Sequence, residues 1–199
     1  MYNQAALYYS SLFVFTSIHK IRNPGSKRLV RTCGLSNIKP CSESFIDGIR
    51  VIFKKHLRKE ALAFCGKLKE LGYKVFAQLV SVTSYSDEEL GDLISLANEV
   101  EPYAVSMVDT YGLMHQNNLM HYFTLLNSGL SPEIGLGYHA HNNFQMGYAN
   151  CIAMISNKIQ RTIVVDGSLY GMGKSAGNAP IERAYIQRIG KLSVHTGHI

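Results

Sequence analysis

The stretch EIGLGYHAHNN (Glu133–Asn143), a following segment of helical spacing, and the stretch RTIVVDGSL (Arg161–Leu169) together decide the fold. Both quoted stretches are short apolar runs that end in polar residues, a pattern typical of buried strands. The segment between them, from Phe144 to Ser156, has the apolar spacing of a helix. A strand, a helix and a second strand in this order predict two parallel strands joined by a crossover helix.

The same alternation extends from this unit toward the N terminus. Ser86 is predicted to cap one of the helices, because three acidic residues follow it directly. The additional strands are predicted at Ile46–Lys54, Tyr73–Val82 and Tyr103–Gly112, and the additional helices at Lys59–Gly72, Ser86–Val100 and Gln116–Asn127. Regular alternation predicts an α/β fold with a parallel sheet covered by helices, either an open doubly wound sheet or a (β/α)₈ barrel.

The length of the chain favours only part of a barrel. A complete barrel needs about 250 residues, whereas the chain has 199 and shows about five clear units. We expect a poorly patterned segment at 1–45, a partial barrel at 46–182 and a divergent tail at 183–199. The apolar stretch from Ala5 to Ile18 is expected to form a buried strand, a helix or an irregular segment.

Composition narrows the class of partner. The chain is 46% hydrophobic and carries a formal charge of +6, with the basic excess concentrated near its two ends. No basic stripe is interleaved with aromatic residues, and no apolar run has the length of a membrane helix. The four cysteines form no C-x-x-C pair. These features predict a cytoplasmic protein that binds neither nucleic acid nor membrane.

Polar side chains lie at the C-terminal ends of the predicted strands, where both α/β architectures place their active sites. His139 and His141 are two residues apart on one strand, so both imidazoles point to the same face. Neutral imidazoles bind divalent transition metals, but two histidines can also simply pack at the mouth of a barrel. Asn142 and Asn143 follow directly and can cap the next helix or contact substrate oxygens.

Two long motifs, GYHAHNNFQMGYANCIAMI (Gly137–Ile155) and VVDGSLYGMGKSAGNAPIE (Val164–Glu182), resemble the DRE-TIM metallolyases, and most closely their 4-hydroxy-2-oxovalerate aldolase branch. The resemblance implies a TIM barrel and a divalent ion, with Mn²⁺ expected and Mg²⁺ or Zn²⁺ as alternatives. It implies His139 and His141 as metal ligands, joined by Asn178. Asp109 matches an acidic residue of the family pattern and is expected to support substrate binding beside Asn143, although a carboxylate at the end of a strand can instead cap the following loop. It also implies aldol or retro-aldol cleavage of a 2-oxo acid through a pyruvate enolate, and it makes a homo-oligomer plausible.

The chain departs from the family in one respect. The Arg-Asp-Gly signature of the family's first strand, which supplies a metal ligand and an enolate-stabilising arginine, is absent. The catalytic residues therefore stay unassigned, and a fragment or a non-catalytic relative is one alternative to the enzyme. Acyl chemistry of the HMG-CoA lyase, isopropylmalate synthase or homocitrate synthase type is another. Gly173-Lys174-Ser175 has a partial likeness to a P-loop, but the preceding glycine spacing is wrong for that motif.

Overall fold

The computed structural model describes residues 6–7, 14–17, 38–44, 47–157, 159–180 and 182–183, with only the backbone for the first two ranges. Its framework is a seven-stranded sheet in the order β1-β7-β6-β5-β4-β3-β2, in which every neighbouring pair is parallel. The strands are β1 (Ala6–Leu7), β2 (Val14–Ser17), β3 (Gly48–Phe53), β4 (Lys74–Val80), β5 (Ala104–Asp109), β6 (Gly135–Ala140) and β7 (Ile163–Val165).

Four helices connect the strands from β3 to β7. They are α1 (Arg58–Glu70), α2 (Asp87–Val100), α3 (Gln116–Gly129) and α4 (Gly147–Ser156). The predicted order of strands and helices is therefore confirmed. Ser86 caps α2 as predicted, because its hydroxyl accepts the Glu89 backbone N–H while the Glu89 carboxylate accepts the Ser86 N–H. This reciprocal pair satisfies two N–H groups that the first turn otherwise leaves without partners.

The last helix begins later than the sequence predicts, at Gly147 rather than near Phe144. Gln145 has a left-handed backbone with φ of 57°, which interrupts a helix. The Asn142 side chain accepts the Gly147 N–H at 3.0 Å and so caps the helix at its observed start. Residues 142–146 consequently form a loop at the C-terminal end of β6.

Alternate residues of each strand face opposite sides of the sheet. The outer side contacts the helices through a continuous apolar core, which includes Ile49, Val51, Phe53, Val75, Leu79, Met107 and Leu136. The inner side carries a small apolar cluster of Phe76, Ala104 and Val164 near the N-terminal ends of the strands. The same side also carries the buried polar groups Arg50, Gln78, Ser106 and Asp166, of which Asp166 directly follows β7.

The sheet curves around this inner side. Arg50 on β3 forms a buried, bidentate ion pair with Asp166, which directly follows β7. Strands β3 and β7 are four steps apart in the sheet order, and four steps span about 19 Å in a flat sheet. An arginine and an aspartate cannot bridge that distance, so the sheet must curl toward a barrel. Because β1 and β2 are not paired with each other among the described strands, the barrel is partial, as predicted.

Within the described residues, no helix combines the length and the apolar character needed to cross a membrane. Several sequence-based expectations lie outside the described residues. These concern most of the segment 1–45 and nearly all of the tail at 183–199.

Candidate metal centre

The two histidines of the H-x-H motif lie together at the C-terminal edge of the sheet. His139 is the fifth residue of β6, and His141 follows one residue after the strand ends. The His141 backbone N–H donates to the Asp109 carbonyl at 3.1 Å, which continues the alignment of β6 with β5. The two imidazole rings are 5.5 Å apart between centroids and nearly perpendicular, at 87°. Both rings can therefore reach one small ligand.

Asn178 is brought beside this pair by the glycine-rich loop. It forms an isolated antiparallel bridge with His141, although 37 positions separate the two residues. The loop curls tightly around the Asn178 backbone, whose N–H donates to the Gly171 carbonyl at 2.8 Å. A side chain at Gly173 would collide with the Asn178 amide, and Gly177 has a left-handed φ of 87°. The glycines thus serve to position Asn178.

Two buried atoms of this group have no hydrogen-bond partner of normal geometry among the described residues. They are Nδ1 of His141 and Oδ1 of Asn178. The amide nitrogen of Asn178, in contrast, has a hydrogen-bond partner, since Nδ2 donates to the Met172 carbonyl at 3.0 Å. Leaving a buried acceptor unsatisfied costs roughly 1–3 kcal/mol. His141 and Asn178 are joined by the backbone bridge, so these two atoms are candidates for contacts with a ligand that accepts lone pairs.

The imidazole of His141 is kept neutral by its surroundings. Burial lowers the pKa of His141, and the neighbouring His139 lowers it further. Backbone groups of Gly177 and Lys174 and the charge of Asp109 act in the opposite direction without reversing the shift. A neutral imidazole retains the lone pair that metal binding requires.

Asp166 and Arg50 lie directly beneath His139. The Asp166 carboxylate is 5% exposed and accepts the Arg50 Nη1–H at 2.7 Å, while its Oδ2 lies 3.5 Å from Nδ1 of His139. Burial alone raises the pKa of Asp166, but His139 and Arg50 outweigh burial and hold the pKa below its usual range. Arg50 belongs to no motif of the sequence, although its place among Ile49, Val51 and Phe53 is a detectable sign of a charged residue on the inner side of a strand.

The two residues predicted to contact a substrate, Asp109 and Asn143, lie in different positions from each other. Asp109 is buried, and its two carboxylate oxygens accept the backbone N–H groups of Leu113 at 3.1 Å and Met114 at 2.9 Å. Asn143 is exposed at the mouth of the sheet, where its Nδ2 donates to the Tyr111 carbonyl at 2.6 Å. Asp109 therefore shapes the loop after β5, and Asn143 stands at the entrance to the histidines.

Asn150, which follows the H-x-H motif on α4, ties that helix to the site. It is buried, and its Nδ2 donates to the Met114 carbonyl at 2.8 Å and to the Tyr138 hydroxyl at 3.1 Å. The first of these is a hydrogen bond from the helix to the loop after β5. Together, the two hydrogen bonds join α4, the loop after β5 and the strand that carries the histidines.

The donor set suits a divalent cation with nitrogen and oxygen ligands. Among the described residues, no three His, Cys, Asp or Glu side chains are arranged to hold a metal ion. The candidate set therefore consists of His139, His141 and the amide oxygen of Asn178. The P-loop alternative gains no support, because the glycine-rich loop leads into no α-helix between Ser175 and Pro180, and Lys174 is exposed.

A small polar cavity of about 250 Å³ adjoins this centre. Asn178 and Asn142 form one part of its wall, and the charged side chains of Glu182 and Arg183 form another. The size is near the lower end of the range for small-molecule sites, which is roughly 300–1,000 Å³. A ligand of a few heavy atoms would fit this space.

Comparisons with known proteins found a matching family model and several curated relatives. A family model described as HMGL-like matches residues 33–197. The 4-hydroxy-2-oxovalerate aldolase of Shewanella halifaxensis is 25% identical over 173 residues, which cover 85% of this chain and 46% of that protein. The protein of the same name from Alkalilimnicola ehrlichii is 30% identical over 132 residues, covering 66% of this chain and 37% of that protein. The chain thus spans less than half the length of these curated relatives.

Solved structures support the fold. The HMG-CoA lyase of Bacillus subtilis superimposes with a TM-score of 0.62 at 21% identity, over 78% of this chain and 59% of that one. The N-terminal domain of a protein described as an aldolase, from Bacteroides vulgatus, gives a TM-score of 0.64 at 21% identity, over 80% of this chain and 55% of that one. At these identities the likeness establishes the barrel-type architecture and nothing further.

Proposed function

Because this chain belongs to the HMGL-like family, we propose that it is a divalent-metal-dependent carbon–carbon lyase of the aldol type that acts on a small 2-oxo acid. His139, His141 and Asn178 are the proposed metal ligands, with Mn²⁺ as the expected ion and Mg²⁺ or Zn²⁺ as alternatives. Curated relatives that carry the name 4-hydroxy-2-oxovalerate aldolase favour this reaction class. A cytoplasmic setting and a homo-oligomer are part of the same proposal.

One observation carries the proposal. The buried Nδ1 of His141 and Oδ1 of Asn178 lack partners of normal geometry among the described residues, on two residues that pair through a backbone bridge and lie beside His139. Three protein ligands would leave positions free for a substrate, as catalytic metal sites require. Such an ion, when bound, supplies Lewis-acid polarisation of the substrate's carbonyl group.

The remaining residues would bind and orient the substrate. Asn143 is exposed at the mouth, so we propose that its amide contacts a substrate oxygen. Asp109 is proposed to act mainly through the loop whose backbone N–H groups it accepts, and less through direct contact. The cavity beside Asn178 provides room for the part of the substrate that is split off, with Arg183 on its wall as a partner for a carboxylate.

The proposal is tested by deuterium uptake into the methyl group of pyruvate, followed by mass spectrometry in D₂O with Mn²⁺. We expect uptake with the parent chain and a loss of at least 100-fold in His139→Ala. A matched control is His121→Ala, because His121 is an exposed histidine that contacts Asp87 on the helical side of the sheet. Circular dichroism verifies that each variant is folded.

A second candidate is a metal-binding relative without enzymatic activity. It is favoured by the absence of the Arg-Asp-Gly signature from the sequence. Histidine-dependent uptake of deuterium would exclude this candidate. A folded chain that binds Mn²⁺ through His139 and His141 but promotes no uptake would overturn the lyase proposal and support the second candidate.

A further inference from the structure

A buried chain of charged side chains leads from the inner side of the sheet to one of the two histidines. Asp166 lies between Arg50 and His139, with two guanidinium nitrogens on one side and the imidazole Nδ1 on the other. Arg50 and Asp166 are 4% and 5% exposed at their side chains, whereas His139 is 25% exposed. The pair is therefore sealed inside the barrel, and His139 extends from it toward the mouth.

The chemistry of the two facing groups fixes where a proton on His139 would lie. An ionised carboxylate only accepts hydrogen bonds, and a neutral imidazole carries one N–H and one lone pair. With Oδ2 of Asp166 facing Nδ1, the favourable arrangement has the proton on Nδ1 and the lone pair on Nε2. The distance of 3.5 Å is long for a hydrogen bond, and such bonds at unliganded sites commonly shorten when a ligand binds.

His141 lacks such a partner. Its Nδ1 is buried without an acceptor of normal geometry among the described residues, and no described carboxylate pairs with its ring. The two histidines of one motif therefore differ, because one is oriented by a carboxylate and the other is not. This difference provides an internal control within a single molecule.

We propose that Asp166, held in place by Arg50, is a positioning residue that keeps His139 in the Nδ1–H form and so directs its Nε2 lone pair to the metal ion. The inference rests on the proposed function in assigning His139 as a ligand. Carboxylates that hold a metal-binding imidazole through its second nitrogen typically raise metal affinity by about 10- to 100-fold. Arg50 acts through Asp166 and not on the ion.

The tautomer of each histidine can be read directly from long-range ¹H–¹⁵N correlation spectra of the metal-free chain. The chain is labelled with ¹⁵N-histidine and studied at about pH 9, where an ordinary histidine is neutral. We expect His139 to be in the Nδ1–H form in the parent. A parent spectrum with His139 in the Nε2–H form would overturn the proposal without any variant or metal.

The variant Asp166→Asn tests whether Asp166 determines the tautomer of His139. Arg50 donates to both carboxylate oxygens in the parent, and Oδ2 also faces His139. We expect the single oxygen of Asn to take the Oδ1 position, which faces Arg50 alone, so that the amide NH₂ takes the Oδ2 position and faces Nδ1 of His139. Nδ1 must then accept, which moves the proton to Nε2 and blocks the proposed ligand atom. We expect this change of tautomer for His139 and not for His141, with a 10- to 100-fold weaker affinity for Mn²⁺ in equilibrium dialysis.

A control separates positioning from general damage to the barrel. Ser106→Ala alters another buried polar residue of the inner side and should leave the His139 tautomer and the Mn²⁺ affinity unchanged. An unchanged His139 tautomer in Asp166→Asn would overturn the proposal. If the parent has the predicted tautomer and Asp166→Asn shifts it, but pyruvate takes up no deuterium, the positioning role stands and the lyase proposal fails.

Discussion

The two sides of the same five strands, β3 to β7, are built from different residues. The outer side presents a continuous apolar layer to helices α1–α4, and its members are almost fully buried. The inner side combines a small apolar cluster with the buried polar groups Arg50 and Asp166 and with the partly buried His139. In β3 the two kinds of residue alternate one by one, as Ile49, Arg50 and Val51.

Within each strand, the residues of the outer side therefore account for stability, and those of the inner side for the candidate site. Apolar burial against the helices contributes to the free energy of folding in proportion to the area removed from water. A buried ion pair contributes little net stability, since the cost of desolvation offsets the attraction. The inner polar groups are therefore better explained by what they hold in position than by the stability they add. Three pairs of substitutions test this comparison, followed by a direct test of the metal site.

The largest effect on stability is expected from the outer side. Phe53→Ala removes a fully buried ring from the core between β3 and its helices, and should lower the free energy of unfolding by about 3–5 kcal/mol. The neighbouring Ile52 points to the inner side and is only partly buried, so Ile52→Ala should cost clearly less. Urea unfolding of both variants measures the difference. Equal losses in the free energy of unfolding would contradict the claim that the outer side contributes most of the stability.

An intermediate effect is expected where the loop after β5 contacts the H-x-H segment. Gly112 has a left-handed φ of 63°, and a Cβ atom there would lie 2.6 Å from the Asn143 backbone nitrogen and also overlap the His141 carbonyl. Gly112→Ala should destabilise by roughly 2 kcal/mol, because the left-handed backbone alone costs about 1–2 kcal/mol. It should also weaken Mn²⁺ binding, because the loop must move away from His141.

Gly91→Ala is the matched control for this substitution. Gly91 lies within α2, and nothing within 4 Å would contact an added Cβ atom. Alanine is favoured over glycine inside a helix by about 1 kcal/mol, so this variant should be neutral or more stable and bind Mn²⁺ normally. If the two glycine variants have the same stability and Mn²⁺ affinity, the proposed contact between the loop and the H-x-H segment is wrong.

The smallest effect is expected from Ser106 on the inner side. Its hydroxyl is buried and has no hydrogen-bond partner among the described residues. Removing a buried polar group that has no protein partner is close to neutral or stabilising. Ser106→Ala should therefore cost less than Ser86→Ala, which removes the cap of α2 at about 1 kcal/mol. Thermal unfolding of both variants shows which substitution costs more stability.

The sequence predicts the elements of this fold well, because each depends on local periodicity. The alternation from Ile46 to Leu169 and the cap at Ser86 are visible in residues close together along the chain. The start of α4 was predicted about three residues early, since nothing in the local pattern reveals the left-handed backbone of Gln145.

Contacts between distant parts of the chain were harder to predict. His139 and His141 were identified because their spacing is a local signal, and the assignment of Asn178 was supported by the resemblance to a family. The pair formed by Arg50 and Asp166 joins residues 116 positions apart, and no periodicity records such a contact. Its existence depends on the curvature of the sheet, which becomes evident only when the strands are assembled.

The most direct test of the central claim is the stoichiometry of Mn²⁺ binding, measured by equilibrium dialysis of the parent chain and of folded His139→Ala, His141→Ala and His121→Ala variants. The geometry at the C-terminal edge of the inner side predicts one site in the parent and in His121→Ala. It predicts no tight site in either variant of the H-x-H motif. Undiminished binding in both His139→Ala and His141→Ala would contradict the assignment of this edge as the metal centre.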